Sequence, residues 1–484
     1  MAQNTLTTPV SLTIDVPQYQ RLHSHLFPGD GDEHGAIIVA GIVQTSRDTR
    51  LLTREVYLAR DGIEFVPGQR CYRALTPEFI ARVSNSCAEQ SLCYMAVHCH
   101  GGSNTVEFSS VDLASHERGY PALLDITKGG PVGALVFARN AIAGDIWTPT
   151  GQVALSHTTV IGPQIYRLYP CPHARTQPAD SMFNRHARLF GDVGQEILGG
   201  LKVGIIGLGG GGSLLNEWLV HLGVGHIAAV DFDQADLTNL PRLVGSTQSA
   251  FWVRLAKSRI PFLQRLGKRL APYKVHIAKR LAQRINPKIR FDAVVGDIVD
   301  EATALKMVDC DFLFLASDTM QSRNVFNALV YQYLIPGAQI GAKVHAPGGI
   351  IEDIHVATRL VLPYASGGCL WCQKAISAAQ LNTESLSEEQ RRRQCYIEGD
   401  EVHEPSVITL NALSAAPAAT DMMMMFTGLY FPDTELGHQL NFVRQRELFV
   451  SEARADPACR HCGSSPHSRR ARGDRASLPC RQSS

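Results

Sequence analysis

Three side chains form a metal-ligand pattern. His98 and His100 end the apolar run SLCYMAVHCH, and Asp112 follows in SSVDLASHERGY. Residues i and i+2 of a strand face the same side, so both imidazoles can share one ion. Two imidazoles and one carboxylate leave a fourth zinc position for water, the layout of a catalytic site. A bound metal lowers the pKa of that water and polarises a carbonyl. A general base must take the proton. Glu33, just before the strand HGAIIVAGIV, is the candidate; Glu55 and Glu64 also lie near predicted strands. Ser109 is placed to donate a hydrogen bond to a tetrahedral oxyanion. The bland alternative is two strand histidines beside a helix-capping Ser and an unrelated Asp. The SxxD spacing soon after HxH favours the metal site. Cys99 points to the opposite strand face and reads as core.

A second pattern begins about a hundred residues later, in KVGIIGLGGGGSLLNEWLVHLGVGHIAAVDFD. This is strand, Gly-rich turn, helix, strand. Gly207, Gly209 and Gly212 let the backbone approach a phosphate at a helix N-terminus. Asp231, at the end of the second strand, is placed for a ribose hydroxyl. Alone, this fingerprint also fits an NAD-dependent enzyme. The residues downstream favour ATP: Asp233, Asn239 and Arg242 follow closely, Lys274 starts a helix, and Asp318 ends a further strand. Adenylation needs cations to neutralise a triphosphate and a carboxylate to hold Mg²⁺.

The pairs Cys369/Cys372 and Cys459/Cys462 form two CxxC knuckles, a Cys₄ signal for structural zinc. Cys395 follows Arg391–Arg393, which can depress its pKa and make it a nucleophile. A loop cysteine beside a basic run is the equal alternative. The run Met422–Met425 reads as helix packing rather than a ligand box.

These residues need elements to hold them. The 484 residues allow two or three domains. Residues 1–165 alternate short apolar runs with polar turns, an α+β pattern. Residues 166–181 include the Pro-rich YPCPHARTQPADS and read as a linker. Residues 182–465 alternate strands with helices, as in a Rossmann-like parallel sheet. Residues 466–484, Ser/Arg-rich and nearly without apolar side chains, read as a disordered basic tail. The overall class is α/β. A net charge of +1 argues against broad capture of nucleic acid or membrane. No apolar run reaches transmembrane length and no signal peptide is visible, so the expected location is cytoplasmic, with cysteines kept as thiols or metal ligands.

Glu33, HxH and SxxD together resemble the JAMM motif of the JAB/MPN metalloproteases. Gly101 stands where that family usually has Pro, and the gap from His100 to Ser109 is one residue longer. The resemblance implies cleavage of isopeptide or peptide bonds at the tail of ubiquitin-like proteins. From about Phe183 to Cys462 the chain resembles the ThiF/HesA/MoeB and ubiquitin-activating superfamily. It implies that Asp231 binds ribose, that Asn239 and Arg242 (TNLPR), Lys274 and Arg185 reach ATP, and that Asp318 holds Mg²⁺. Arg185 would act from a partner subunit, which makes a homodimer the expected assembly. The paired CxxC knuckles occupy corresponding places in that family. An insertion of about 19 residues before Lys274 leaves Lys257 as an alternative. The expected function is ATP-dependent adenylation of a ubiquitin-like or sulfur-carrier protein ending in Gly, with thioester transfer to Cys395 and a conjugating enzyme as a further partner, beside zinc-dependent cleavage at the same tails. Sulfur transfer without conjugation, and a non-catalytic scaffold binding such tails, are the alternatives.

Overall fold

The computed structural model describes residues 9–66, 73–172, 178, 180–346, 350–364, 367–385, 406–452 and 454–481. It divides into two units. The first comprises 1–175, 331–334 and 469–477; the second comprises 176–330, 335–468 and 478–484.

The first unit runs β1 (Val10–Asp15), α1 (Val16–Leu26), β2 (Gly35–Gln44), β3 (Thr49–Leu58), α2 (Pro77–Gln90), β4 (Cys93–Cys99), α3 (Ser110–Ile126), β5 (Val132–Phe137), β6 (Ile142–Thr148), β7 (Gly151–Ile161) and β8 (Tyr166–Leu168). The strand order is β1-β3-β2-β4-β5-β6-β7-β8, and β1 also pairs with β7. The apolar run of β2 is buried on both faces because its neighbours alternate. Ile38 and Ile42 join one cluster with Leu22, Met95 and Phe137. Ile37 and Val39 join another with Phe79, Val83 and Tyr120. Each such burial contributes about 1.5–3 kcal/mol. Helix α2 starts where Thr76 accepts from the Phe79 amide and Pro77 fills the first turn.

Two expectations are corrected in this unit. Tyr166–Leu168 fall in the span assigned to a linker, yet they pair with β7. A ladder uses the main chain, so the exposed Tyr166 and Arg167 side chains do not prevent it. The terminal segment also differs from a disordered tail. Arg470 is 2% exposed and ion-paired with Asp15, itself 1% exposed. Arg470 also donates to the Arg54 carbonyl at 3.1 Å, and Asp474 accepts from the Gln44 amide at 2.8 Å. A Cβ on Gly41 would overlap the Ala471 carbonyl, so only glycine permits this approach. A segment with few apolar side chains is ordered here largely through paired charges and carbonyls, with Ala471 and Leu478 as its buried apolar contacts.

The second unit runs α4 (Asn184–Gly200), β9 (Lys202–Ile206), α5 (Gly210–His221), β10 (His226–Val230), α6 (Phe251–Ala256), α7 (Pro261–Arg269), α8 (Lys274–Ile285), β11 (Arg290–Val294), α9 (Glu301–Ala304), β12 (Phe312–Leu315), α10 (Met320–Tyr333), β13 (Gly337–His345), β14 (Asp353–Val361), α11 (Ala378–Ser385), α12 (Ile408–Phe426), β15 (His438–Phe442) and β16 (Glu447–Ser451). Its sheet order is β11-β10-β9-β12-β13-β14-β15-β16. The first five in that order are parallel and carry continuous apolar runs such as FLFL, buried on both faces. The remaining pairings are antiparallel, so the sheet is mixed rather than parallel throughout. The connections from β13 to β14 and from β15 to β16 are too short for a crossover helix. Met422 and Met425 of α12 are fully buried, consistent with packing. Among the described residues, no helix is long and apolar enough to cross a membrane.

Candidate functional sites

In the first unit β4 delivers His98, and His100 just past the end of that strand, to the start of α3. The helix is opened by a capping box: the Asp112 amide donates to Ser109 Oγ, and the Ser109 amide donates to Asp112 Oδ2. The ring Nε2 atoms of His98 and His100 are 3.2 Å apart. They lie 3.4 and 3.3 Å from Asp112 Oδ2. Tetrahedral zinc with N and O ligands at about 2.0–2.1 Å requires edges of about 3.3 Å, so the three atoms fit one ion. His100 Nδ1 lies 3.1 Å from the Glu107 carbonyl. As an N–H donor there, it leaves the lone pair of Nε2 facing the other two ligands.

Glu33 is half-buried. Burial raises its carboxyl pKa, His98 and His100 lower it, and Asp112 raises it again, so it shares the electrostatic environment of the ligand set. The two alternatives are engaged elsewhere. Glu55 accepts from the Tyr57 hydroxyl at 2.8 Å. Glu64 is buried; burial raises its pKa, but Arg60 and Arg82 more than offset this and bring it down to about 2. The Ser109 hydroxyl donates to Asp112 Oδ2 at 2.7 Å, so in this state it orients a ligand. Burial raises the Asp112 carboxyl, and hydrogen bonds from His98 and Ser109 carry it well below the usual carboxylate range. Cys99 is buried away from the site and donates to the Leu26 carbonyl at 3.0 Å.

In the second unit the Gly-rich turn joins β9 to α5. Gly207 has φ +90°, and a Cβ there would come within 3.0 Å of the Ser317 amide. The N-cap Gly209 brings no side-chain acceptor to the first-turn amides of α5. Those amides therefore suit a phosphate. Asp231 accepts from the Leu208 amide of the turn at 2.7 Å and from the Asp233 amide at 2.8 Å. Lys274, the first residue of α8, lies 2.5 Å from Asp233 and 3.8 Å from Asp231. Burial raises the Asp231 carboxyl, and Lys274 lowers it. Lys257 is exposed at the C-cap of α6. The structure thus joins Lys274, rather than Lys257, to the acidic pair.

Arg242 Cδ lies 3.5 Å from where a Cβ of Gly210 would stand, so its stem flanks the turn. Asn239 Oδ1 accepts from the Asp236 amide at 3.3 Å and closes the turn that presents Arg242. Asp318 is exposed in the loop after β12, two residues beyond Ala316, which touches Gly207. Arg185 is exposed on the first turn of α4. Asn411 is the residue that sequence reading missed. Its amide stands directly over Gly210, carried there by α12, which packs on α5. No local signal marks it; only the packing of α12 brings it to the turn. Cys395 and Arg391–Arg393 lie outside the described residues.

The four knuckle cysteines converge. Sγ separations are 3.7 Å for Cys369–Cys372 and Cys369–Cys459, and 3.5 Å for Cys372–Cys462. These are far beyond a disulfide and match the edges, about 3.8 Å, of a tetrahedron with Zn–S near 2.3 Å. The His461 amide donates to Cys459 Sγ at 3.4 Å, and the Asp456 amide donates to Cys372 Sγ at 3.5 Å.

Residues 183–463, more than half of the chain, match the ThiF family model. The chain is 28% identical over 170 residues to molybdopterin-synthase adenylyltransferase of Escherichia coli (strain K12), covering 35% of this chain and 60% of that protein. It is 38% identical over 81 residues to tRNA threonylcarbamoyladenosine dehydratase of Bacillus subtilis (strain 168), covering 16% of this chain and 32% of that protein. The match thus spans at most 60% of the length of these curated relatives. Among solved structures, E. coli MccB with ATP is similar at 19% identity and a TM-score of 0.42, over 59% of this chain and 75% of that one. The Gly-rich turn, the acidic pair with Lys274 and the paired cysteine knuckles all fall inside the matched span, and the chain belongs to the ThiF family.

Proposed function

We propose that the second unit adenylates the terminal carboxylate of a carrier protein or peptide ending in Gly, with ATP and Mg²⁺. One observation carries this reading: the cluster in which Lys274, Asp231 and the Gly207–Gly212 backbone meet within a ThiF-family chain. The substrate carboxylate attacks the α-phosphate; its oxygen forms the new bond to phosphorus, and the bond to pyrophosphate breaks. Arg242 and Lys274 offset the like charge between carboxylate and triphosphate. Asp231 holds the ribose, and Asp318 holds Mg²⁺. Arg185, exposed on α4, reaches the nucleotide of a second copy in a homodimer. The name of the E. coli relative supports adenylyl transfer over hydride transfer.

In the first unit His98, His100 and Asp112 would hold a catalytic zinc. The ion supplies Lewis acidity and a bound water of lowered pKa. Glu33 would take a proton from the attacking water and return it to the leaving amine. Ser109 fixes Asp112. The substrate bond lies at the tail of a ubiquitin-like protein, so both units serve one class of molecule. Transfer to Cys395 gives conjugation; discharge to a sulfur donor gives a sulfur carrier. The Cys369/Cys372/Cys459/Cys462 set would hold structural zinc.

The test is ATP–pyrophosphate exchange with ubiquitin-like proteins ending in Gly-Gly, on the wild type and Asp318→Ala. Carrier-dependent exchange that disappears in the variant is the expected result. Bound ATP without exchange from any carrier would sink the adenylation reading.

A further inference from the structure

Between Asp236 and Asp292 the chain carries 13 Lys and Arg residues and no Asp or Glu, within a protein of net charge +1. This stretch includes the insertion before α8. The insertion folds as α6 and α7 on a small core of Trp252, Val253, Ala256 and Ile277. Nucleotide binding uses Lys274 and Arg242 and leaves the rest unexplained. Arg254, Arg259, Arg265 and Arg269 are exposed, and none pairs with a carboxylate among the described residues. Large apolar side chains stand out beside them: Phe251 is 69% exposed, Ile260 56% and Phe262 71%. A lone exposed apolar residue needs no explanation, but several on one basic element mark an interaction surface.

A cavity of about 150 Å³ opens at the base of the insertion. Trp252, Ile277 and Leu281 give it apolar walls, and Ser246, Arg280 and Arg284 add polar ones. Arg280 and Arg284 are one turn apart on α8. Like charges at this spacing repel each other and destabilise a bare helix. A bound anion reverses that term.

We propose that the insertion and α8 form a docking site for an acidic, amphipathic segment of a partner protein. An aliphatic side chain fills the cavity beside Trp252, and flanking carboxylates pair with Arg280 and Arg284. The remaining arginines steer its approach. The choice of protein over nucleic acid rests on Ile277 and Leu281 in the cavity wall and on the exposed Ile260 and Leu270, which give a base nothing to stack on. Trp252, Phe251 and Phe262 would serve RNA, so RNA is the competing outcome.

The test uses the full chain and fluorescence anisotropy with three labelled probes: a Glu/Leu peptide, the same peptide with Lys for Glu, and a single-stranded RNA. The acidic peptide binds, the Lys peptide does not, and affinity for the acidic peptide falls as salt rises. Arg280→Glu/Arg284→Glu weakens that binding by at least about tenfold. MgATP affinity, read by calorimetry, stays unchanged and shows that the unit is folded. Arg280→Gln/Arg284→Gln replaces the reversal if the latter does not fold. No binding of the acidic peptide, equal binding by wild type and variant, or tighter binding of RNA would overturn the proposal.

Discussion

Lys274 Nζ lies 2.5 Å from Asp233 Oδ2 and 3.8 Å from Asp231 Oδ1. Asp231 is itself held by the Leu208 amide of the Gly-rich turn. One lysine thus ties the start of α8 to the segment after β10 and, through Asp231, to the phosphate turn. Removing its charge leaves two neighbouring carboxylates without their cation. Lys274→Ala is expected to lower carrier-dependent ATP–pyrophosphate exchange roughly 10²-fold. Lys257→Ala is expected to stay within about twofold. The reverse ranking would move the functional lysine to α6.

The two ligand sets differ in exposure and therefore in consequence. Metal analysis by mass spectrometry is expected to find zinc at both. His98→Ala/Asp112→Asn loses the first ion with little change in unfolding. Cys462→Ala, whose thiol is fully buried, loses the second ion and destabilises the second unit by several kcal/mol. Retention of both ions in the His98/Asp112 variant would remove the catalytic-metal assignment.

Glu33→Gln keeps the shape of the first site and removes its base. Cleavage of a ubiquitin-like precursor should fall by about 10² or more while zinc content is unchanged. If Glu64→Gln instead gave the larger loss, the base would have to be reassigned, despite the hold of Arg60 and Arg82 on that carboxylate.

His438 in β15 is buried, with neither ring nitrogen hydrogen-bonded among the described residues. Burial, and then the nearby Arg359, lower its pKa to about 4. The unfolded value is near 6.5, so the neutral ring contributes stability above pH 6.5 that is lost as pH falls toward 4. The size is on the order of 3 kcal/mol. Urea unfolding followed between pH 7 and 4 should show this slope reduced in His438→Leu. An unchanged slope would mean that the ring finds a proton acceptor.

Arg470 pairs with Asp15 where both are buried. Arg470→Ala leaves the Asp15 carboxylate buried without its cation and should cost the first unit about 3–5 kcal/mol. Unfolding of the first unit, read through Trp147 fluorescence, checks this. A loss below about 1 kcal/mol would show that water replaces the guanidinium.

Much of the candidate chemistry was legible from spacing alone. HxH at the end of an apolar run can face one side only, and SxxD places a cap and a ligand on one turn of helix. The structure brought His98, His100 and Asp112 within 3.4 Å for those local reasons. The CxxC pairs were equally readable, because two residues between cysteines fix a knuckle whatever the fold. The Gly-rich turn was readable because its conformation is written in its residue types.

What the sequence could not supply was anything set by packing between distant elements. Which of three glutamates shares the surroundings of His98, His100 and Asp112 followed from burial and from the arginines that took Glu64. Which lysine serves the acidic pair followed from where the insertion lets α8 begin. Asn411 reached Gly210 only through the packing of α12 on α5. The last residues read as a disordered tail because their composition has few apolar groups. Only the tertiary structure holds the buried carboxylate of Asp15 and the open space over Gly41 that order them. Local spacing determines which groups can act together; long-range burial and charge pairing decide which of them do.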